Sequence, residues 1–332
     1  MNIPVMISAI GYSVPETVIT NDDLAKLVDT SDEWITTRTG IKERRVVSGD
    51  EDAATIGAAA ARDALRKIDL DVKDIDLIIA AASVPTNAYP ATACEIQADI
   101  GAVNAAAFDI TAACSGMIYA MNIGRSFITS GIYKNILIVA TDANSKFVDW
   151  TDRATCVLFG DGAGAIVMQP SIDGIDDIIA IDLYAEGDKA GHIVMPLSGK
   201  NCPLVAPNTQ KPLHIYMNGK EVYKFVVTRM PEQIIKCLEH ANMTPDDIDY
   251  LIPHQANLRI IDAMAERLGY NENKVIVNIQ KYGNTSAASI PIALVEGVEE
   301  GKIKLPCKAI LSGFGAGMTC GNAIIRLRKG VA

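Results

Sequence analysis

The stretch DITAACSGMIYA at residues 109–120 is the part of the sequence that best indicates the fold, because a modified copy of residues 111–115 occurs later in the chain. Thr-Ala-Ala-Cys-Ser at 111–115 resembles Thr-Ser-Ala-Ala-Ser at 285–289. The other repeated pairs, in the same order, are DIDLII at 74–79 with DIDYLI at 247–252, and FGDGAGAIVM from Phe159 with FGAGMTCGNAII from Phe314. One match is expected by chance, but three in order indicate duplication. We predict two halves of one topology, residues 1–172 and 173–332, packed face to face.

The apolar pattern predicts that strands and helices alternate within each half. The first half has predicted strands at 3–11, 74–83 and 135–142, and predicted helices at 53–67 and at 115–130, the latter ended by Gly131. The second half has predicted strands at 248–253, 275–278, 308–312 and 322–328, and predicted helices at 221–241, 257–268 and 285–300. The Gly-, Pro- and Asn-rich stretch 185–220 is expected to be irregular. This alternation predicts an α/β fold with a parallel or mixed sheet and helices on its faces.

The composition is that of a globular protein and excludes several classes. The chain has 332 residues, of which 49 % are apolar and 21 % charged, with a net charge of −10. That charge argues against attraction to nucleic acid or to an anionic membrane. The longest uncharged run, 77–94, contains Pro85 and Pro90, so we expect no membrane-spanning helix there. No basic residue precedes the first apolar stretch, as a secretory signal would require, and we expect a cytoplasmic protein.

The seven cysteines suggest neither a disulfide framework nor a zinc site. Their number is odd, their spacing is wide, and no Cys-x-x-Cys pair occurs. Disulfide scaffolds and zinc sites have paired or regularly spaced cysteines. We therefore expect no metal. One or more cysteines are candidates for special chemistry, and we expect the others to be small buried apolar residues.

Cys114 is the candidate for that special cysteine. It follows a strand-like segment, precedes an apolar helix and is flanked by Ala112, Ala113, Ser115 and Gly116. A thiol at a helix N-terminus faces unpaired N–H groups and the positive end of the helix dipole, which predicts a lowered pKa. The alternative is a buried structural cysteine among alanines.

His254 and Asn284 are the other candidates for chemistry. His254 directly follows a predicted strand that Pro253 ends, and the ends of parallel strands are where open α/β sheets bind ligands. Asn284 follows Gly283 at the start of the predicted helix that duplicates the one after Cys114. The pseudo-symmetry would direct both helix starts at one site. The alternatives are a structural histidine and an ordinary helix N-cap.

Two glycine loops resemble a dinucleotide-binding fingerprint only superficially. GDGAGA at 160–165 and GFGAGMTCG at 313–321 are each followed by strand-like residues. The fingerprint requires a helix N-terminus to hold pyrophosphate, so we reject it. Loops of this kind can instead direct backbone N–H groups at an oxyanion.

Taken together, these segments resemble the β-ketoacyl-acyl-carrier-protein synthase III family of the thiolase superfamily. The matching motifs are TSDEWITTRTGIKERR at 30–45, AACSG at 112–116, TDR at 151–153, FGDGAG at 159–164, PHQANLRI at 253–260, GNTSAAS at 283–289 and GFGAG at 313–317. They span nearly the whole chain. The resemblance implies a thiolase-like, duplicated fold of five α/β/α/β/α layers, which agrees with the internal repeat.

The resemblance also implies roles for the three candidates. Cys114 matches the nucleophile that carries the acyl group as a thioester. His254 and Asn284 match the pair that binds the malonyl thioester carbonyl and stabilises the enolate formed when CO₂ leaves. The backbone N–H groups of Cys114 and Ala316 match the oxyanion hole, with alanine at a position where the family often has glycine.

The remaining implied roles concern substrates and partners. Coenzyme A would be bound by Trp34 and Arg153 stacking on adenine, Arg38 on phosphate and Asn257 on the pantetheine arm. Acyl carrier protein would dock on Arg259 and Lys224, on a patch weakened by Glu266. The acyl pocket would involve Tyr89, which matches an aromatic residue reaching across a homodimer interface, and Phe159 and Met318. Acyl-CoA is a substrate here, and no cofactor is implied.

The implied reaction is ping-pong: an acyl-CoA acylates Cys114, and malonyl-acyl carrier protein then undergoes decarboxylative condensation with the acyl group. A secondary-metabolism ketosynthase, forming quinolones or priming polyketides, could use the same three residues. A thiolase is disfavoured because GFGAGMTCGN around Cys320 does not match its second cysteine. A cysteine-dependent acyl-CoA hydrolase and an inactive binding protein are the remaining alternatives. The starter acyl group cannot be read from the sequence.

Overall fold

Strands and helices alternate along the chain, as their bounds show. A computed structural model describes residues 3–188, 190–196, 202–205 and 214–332. The strands are β1 (Val5–Ser13), β2 (Val18–Thr20), β3 (Glu43–Arg45), β4 (Leu77–Ala81), β5 (Ala106–Ile110), β6 (Ile136–Asp142), β7 (Gly162–Pro170), β8 (Ile178–Ala185), β9 (Ile193–Val194), β10 (Tyr216–Met217), β11 (Tyr250–Pro253), β12 (Cys307–Gly315) and β13 (Thr319–Leu327). The helices are α1 (Asn21–Leu24), α2 (Asp32–Thr39), α3 (Ala53–Leu65), α4 (Thr92–Ile100), α5 (Gly116–Thr129), α6 (Gly219–His240), α7 (Leu258–Leu268), α8 (Ile279–Tyr282) and α9 (Ser289–Glu299).

Two mixed sheets have matching strand orders. The first sheet runs β1-β7-β6-β4-β5, with β4 parallel to β5 and β6, and β7 antiparallel to β6 and β1. The second runs β8-β13-β12-β11, with β11 parallel to β12, and β13 antiparallel to β12 and β8. Strands β1, β7, β6 and β4 therefore correspond to β8, β13, β12 and β11. The predicted duplication of topology is confirmed.

The helices and sheets form five layers. Helices α3 and α4 cover the outer face of the first sheet, and α6 and α7 cover the outer face of the second. Helices α5 and α9 lie between the sheets, where their apolar side chains join residues of both sheets in one core. Each sheet is thus buried on both faces, which explains why its strands are continuous apolar runs.

Helix α5 begins within the stretch 109–120 and packs in the core between the two sheets. Met117, Met121 and Ile128 are fully buried and lie along one side of it. The helix is preceded by a 3₁₀ turn at Ala113–Ser115 and ends before Gly131, whose φ of 77° is left-handed, as predicted for the residue that ends it.

Two predicted elements differ from the structure. The predicted strand at 275–278 is a single bridge from Val275 to Leu251. Its pairing ends after the Ile276 N–H donates to Leu251 O, because the N–H groups of Asn278 and Ile279 bind Gln255 Oε1 and the chain turns into α8. The predicted helix at 285–300 begins only at Ser289, after a 3₁₀ turn at 286–288. The irregular stretch predicted at 185–220 lies partly outside the described residues, and its described part contains the short strands β9 and β10.

Candidate active site

The three candidate residues lie where the two halves meet. Cys114 is in the turn at 113–115, His254 directly follows β11, and Asn284 precedes the turn at 286–288. The two turns pack against each other, and the Ser286 hydroxyl lies 3.4 Å from Cys114 Sγ. Ala113 (φ 47°) and Ser286 (φ 54°) each begin their 3₁₀ turn, and both have the same rare left-handed backbone. The duplication therefore places two equivalent helix starts around one sulfur atom.

The backbone around Asn284 fixes its side chain. Gly283 has a φ of 63°, and a Cβ there would lie 2.8 Å from the Leu158 carbonyl oxygen, so only glycine fits this turn. The Asn284 N–H donates to Leu158 O at 2.9 Å, and its carbonyl accepts from Gly160 N–H at 3.0 Å. The side-chain Oδ1 accepts the Ser286 N–H at 2.8 Å. The amide NH₂ has no acceptor among the described residues and is available to a ligand.

A hydrogen-bond chain fixes the tautomer of His254. Its Nδ1 lies 2.7 Å from Ser289 Oγ, which also accepts the Gln255 N–H at 3.2 Å. Because the Gln255 backbone N–H is a donor, it uses a lone pair of the Ser289 oxygen and leaves the hydroxyl proton available. In the described part of the chain, the one acceptor for that proton is His254 Nδ1. This assignment places the imidazole proton on Nε2. Burial lowers the pKa of His254 to about 3, so the ring is neutral, and Phe314 packs edge-on against it at 5.1 Å.

The thiol of Cys114 has a raised pKa, which corrects the prediction from the sequence. Burial raises it to about 12, the Ser286 hydroxyl opposes this rise without cancelling it, and the charge of Asp142 adds a smaller rise. The loss of hydration thus outweighs the helix dipole. The sulfur also lies in a 3₁₀ turn before α5 rather than in its first α-helical turn.

The predicted oxyanion donors lie on adjacent backbone segments. A Cβ at Gly315 would lie 2.6 Å from Cys114 N. The end of β12 therefore approaches the turn at 113–115 so closely that only glycine fits at position 315. Thr319 Oγ1 donates to the carbonyls of Ala112 and Ala316 by two alternative hydrogen bonds of 3.1 and 3.2 Å, and it accepts from Ser115 at 2.8 Å. The backbone N–H groups of Cys114 and Ala316 have no hydrogen-bond acceptor within the described ranges.

The residues predicted to bind coenzyme A cluster near α2. Trp34 contacts two guanidinium groups, with Arg38 at 4.6 Å and Arg153 at 5.0 Å from its ring centroid. Arg153 also donates to Asp29 O at 2.6 Å. The gap predicted between Trp34 and Arg153 for an adenine is therefore closed, because the guanidinium itself stacks on the indole. A base would reach the ring only after an arginine moves aside.

The other predicted surface contacts are partly engaged within the chain. Asn257 is the N-cap of α7: its Oδ1 accepts the Arg259 N–H at 2.9 Å, and its Nδ2 donates to Arg38 O at 3.1 Å. The Arg259 guanidinium donates to Thr37 O at 3.0 Å. Lys224 is exposed on α6 and lines a groove of about 570 Å³ with Met318.

The structure does not gather the predicted acyl-pocket residues into one cluster. Phe159 is buried with residues of α1 and α2, while Met318 packs with Phe314 against α6. Tyr89 is 88 % exposed and belongs to neither cluster. Phe159 forms a backbone bridge to Asn284, and Met318 lies two residues after Ala316, so each borders the site from a different side. Tyr89, by contrast, faces outward.

Sequence reasoning missed four residues that hold the site together: Ser286, Ser289, Phe314 and Asp142. The two serines lie within the GNTSAAS motif, so the motif itself was the available signal. Phe314 begins the repeated FGAG segment, but nothing in the sequence shows that its ring meets an imidazole. Asp142 is at the C-terminal end of β6, where ligands are expected in parallel sheets, and could have been found by that rule.

Comparison with known proteins finds full-length relatives. Family models for 3-oxoacyl-[acyl-carrier-protein] synthase III match residues 108–187, and those for its C-terminal part match 238–327. A β-ketoacyl-[acyl-carrier-protein] synthase III of Roseiflexus sp. is 48 % identical over 95 % of this chain and 96 % of its own length. The crystal structure of the Aquifex aeolicus synthase III is 46 % identical, with a TM-score of 0.89 over 97 % of this chain and 100 % of its own. The priming β-ketosynthase of the R1128 polyketide pathway is 33 % identical, with a TM-score of 0.90 over 98 % of this chain and 97 % of its own.

Proposed function

The chain belongs to the 3-oxoacyl-[acyl-carrier-protein] synthase III family, and we propose that it condenses an acyl-CoA starter with malonyl-acyl carrier protein. The products are β-ketoacyl-acyl carrier protein, CO₂ and coenzyme A, and the step initiates type II fatty-acid biosynthesis. The observation that carries this proposal is the junction of the two turns. There the Cys114 sulfur lies 3.4 Å from the Ser286 hydroxyl, and Asn284, bound through Oδ1 to the Ser286 N–H, has an amide NH₂ with no acceptor among the described residues.

In the first half-reaction Cys114 takes the acyl group. Its sulfur attacks the acyl-CoA carbonyl, the carbonyl oxygen becomes negative, and the thiolate of coenzyme A departs. Among the described residues no acceptor binds the N–H groups of Cys114 and Ala316, which lie on two backbone segments in close contact, as donors to that oxygen must be.

In the second half-reaction the malonyl thioester loses CO₂. Its carbonyl oxygen becomes an enolate oxygen, which needs hydrogen-bond donors and no general base, since loss of CO₂ itself leaves the carbanion. His254 and Asn284 would each supply one N–H to that oxygen. The carbanion then attacks the thioester carbon on Cys114, and the C–S bond breaks, so that the sulfur is regenerated.

Substrates would approach over the surface formed by α2, α6 and α7. Trp34, Arg38, Arg153 and Asn257 lie together there and offer an indole, two cations and an amide to coenzyme A. Arg259 and Lys224 offer exposed cations to an acidic carrier protein, which the net charge of −10 would otherwise repel.

A homodimer would complete the site. Strand β5 ends the first sheet and is partly exposed along its length, so its outer edge can pair with a second copy. Tyr89 is exposed in the segment between β4 and α4 and would border the partner's acyl pocket. In the described ranges no helix has the length and apolar run needed to span a bilayer, and no three His, Cys, Asp or Glu side chains cluster as metal ligands.

Two alternatives are distinguished by chemistry. The R1128 priming ketosynthase shares the fold at 33 % identity, so a starter or acceptor of secondary metabolism stays open. A hydrolase would need His254 to accept a proton from Cys114 or water, yet its Nδ1 is bound to Ser289 and its Nε2 carries hydrogen. The geometry therefore favours condensation over hydrolysis.

The deciding experiment incubates the protein with a panel of acyl-CoAs, straight and branched, and records the mass shift on each cysteine before malonyl-acyl carrier protein is added. We expect the shift on Cys114 and its loss when β-ketoacyl product and CO₂ form. Cys114→Ala should abolish acyl transfer but retain malonyl decarboxylation, and Asn284→Ala should acylate normally but condense slowly. Acylation of another cysteine, or release of free acid without CO₂, would contradict the proposal.

A further inference from the structure

The proton of Cys114 has no obvious acceptor in the site as described so far. This point rests on the proposed function, in which the sulfur must be deprotonated to attack an acyl-CoA. Burial raises the pKa of Cys114 to about 12, so few molecules carry a thiolate at neutral pH. His254 is a poor acceptor because burial lowers its pKa to about 3 and Ser289 occupies its Nδ1.

Asp142 is a buried carboxylate that nothing in this mechanism yet uses. It is the last residue of β6 and is 0 % exposed. Its Oδ1 accepts the N–H groups of Ser83 at 2.7 Å and Val84 at 3.0 Å. Its Oδ2 is shielded from water and has no hydrogen-bond partner in the described part of the protein. A buried charged oxygen without a donor is costly and calls for an explanation.

Ser286 lies between that carboxylate and the sulfur. Its side chain is 3 % exposed, and its hydroxyl oxygen is 3.4 Å from Cys114 Sγ. The Ser286 hydroxyl and the Ala287 N–H also face the Asp142 carboxylate without closing a hydrogen bond on Oδ2. Since a hydroxyl both accepts and donates, Ser286 can accept the thiol proton and donate its own to Oδ2 after rotating about one bond.

We propose that Ser286 relays the proton of Cys114 to Asp142 during acylation. The Sγ–H proton passes to Ser286 Oγ while the Ser286 proton passes to Asp142 Oδ2. The sulfur lone pair forms the new C–S bond, the bond from the acyl carbon to the sulfur of coenzyme A breaks, and the departing thiolate takes the stored proton back through Ser286. Ser286 touches the reacting atom and is catalytic, whereas Asp142 acts through it and is a positioning residue.

Electrostatics favour Asp142 over His254 as the acceptor. Transfer to Asp142 moves one negative charge a short distance, while transfer to neutral His254 would create two opposite charges in a site shielded from water. The Asp142 pKa, raised by burial to about 6, is also nearer to that of Cys114 than the His254 value is. Cys114 is the titratable side chain that faces Asp142 across Ser286, and the other groups bound to its carboxylate are backbone N–H donors.

The test measures single-turnover acylation of Cys114 by mass spectrometry, using an acyl-CoA that acylates the wild-type protein. Ser286→Gly removes the hydroxyl and suits the φ of 54°, and Asp142→Asn keeps the acceptor for Ser83 and Val84. Each should slow acylation about 100-fold, and the double variant should be no slower than the slower single one. Asp161→Asn is the control, because Asp161 is equally buried but has both oxygens hydrogen-bonded.

Two further readouts separate a relay from a structural role. Wild-type acylation should fall as the pH drops below about 6, where Asp142 becomes protonated, and this fall should be absent in Asp142→Asn. Malonyl decarboxylation, measured in a Cys114→Ala background, should be unaffected by either change. Wild-type acylation rates in Ser286→Gly or Asp142→Asn, or equal losses of acylation and decarboxylation, would overturn the relay. Failure of the wild-type protein itself to acylate Cys114 would instead overturn the proposed function.

Discussion

Cys114 is half-buried and His254 is buried, and burial moves their pKa values in opposite directions. It raises the thiol pKa to about 12 and lowers the imidazole pKa to about 3. Because each group loses hydration of its charged form, each is held neutral at rest. A neutral thiol and a neutral imidazole fit a reaction in which charge appears only transiently on a thioester oxygen.

The low pKa of His254 predicts a flat pH profile for decarboxylation. In Cys114→Ala, loss of CO₂ from malonyl-acyl carrier protein should vary less than about twofold between about pH 5 and pH 8, because His254 with a pKa of about 3 stays neutral throughout. The measurement is CO₂ release at constant ionic strength. A step of tenfold or more near pH 6.5, where an ordinary histidine titrates, would show that the imidazolium takes part.

Ser289 should matter for condensation and not for acylation. Ser289→Ala leaves Nδ1 and the Gln255 N–H without their partner, so the proton is no longer confined to Nε2. We expect condensation to slow about tenfold or more, with acylation of Cys114 unchanged. Nitrogen NMR of His254 should show mixed tautomers. Ser126→Ala, which removes an exposed hydroxyl on α5, is the matched control; an unmixed Nε2–H tautomer in Ser289→Ala would contradict the assignment.

The sequence predicted which residues approach one another but not the state of their protons. Cys114 lies in a repeated segment and Asn284 directly precedes the second copy of it, so the duplication alone was enough to predict that their helix starts face one site. The sign of the thiol shift depends on how much water the surrounding layers exclude, and that depends on packing between segments far apart in the chain. The same holds for Asp142. Its Oδ2 lacks a hydrogen-bond partner in the described residues, and this depends on how the turn at 286–288 packs against it.

At the scale of elements, the end of β12 and the turn at 113–115 act as one unit. Gly315 lies against Cys114 N, and Thr319 bridges to Ala112 on the other side. The turn between β12 and β13 is therefore fixed relative to the sulfur by backbone contact as well as by hydrogen bonds. Such contact is what a pair of oxyanion donors requires, since their spacing must be set before the substrate binds.

Gly315→Ala should separate these two elements. The added Cβ would lie 2.6 Å from Cys114 N and 2.8 Å from Ala113 Cβ, so one backbone must shift. We expect acylation to slow about 100-fold and the free energy of unfolding to fall by about 1–3 kcal/mol. Acylation kinetics and urea denaturation measure the two effects. Gly219→Ala, which brings the new Cβ within 4 Å of no neighbour in the described part of the chain, should change neither. Normal acylation in Gly315→Ala would refute the close approach.

The sequence predicts whether a segment is a strand or a helix where its apolar residues recur regularly. The predicted ends of these elements are wrong where a side chain binds the backbone or a residue has a left-handed backbone. The apolar run at 275–278 reads as a strand, but Gln255 takes the N–H groups that would have continued its pairing. The helix predicted from residue 285 begins later because Ser286 has a left-handed backbone. Both wrong predictions lie next to the site, where the backbone departs from regular secondary structure to position functional side chains.

At the scale of the whole molecule, the two halves have the same sheet order but differ at one edge. The first sheet continues past β4 to β5, whereas in the described residues the second sheet has only the Val275 bridge beyond β11. The extra strand leaves the first half with a partly exposed edge, near which Tyr89 is 88 % exposed. The departure from symmetry therefore marks the surface where a second copy would add.

This reading predicts that the β5 edge holds a dimer together. Ala106 N–H points inward, to Asp76 O, so strand alternation directs the Ala107 N–H to the outer edge. Ala107→Pro removes that donor but leaves the pairing with β4 intact. Because two-fold symmetry removes the donor from both subunits of a dimer, the dimer dissociation constant should rise about tenfold or more. Sedimentation equilibrium gives the constant, and Ala107→Val, which keeps the N–H, is the control. A proline variant that dimerises as tightly as the valine variant would place the interface elsewhere and leave the exposure of Tyr89 without a partner to explain it.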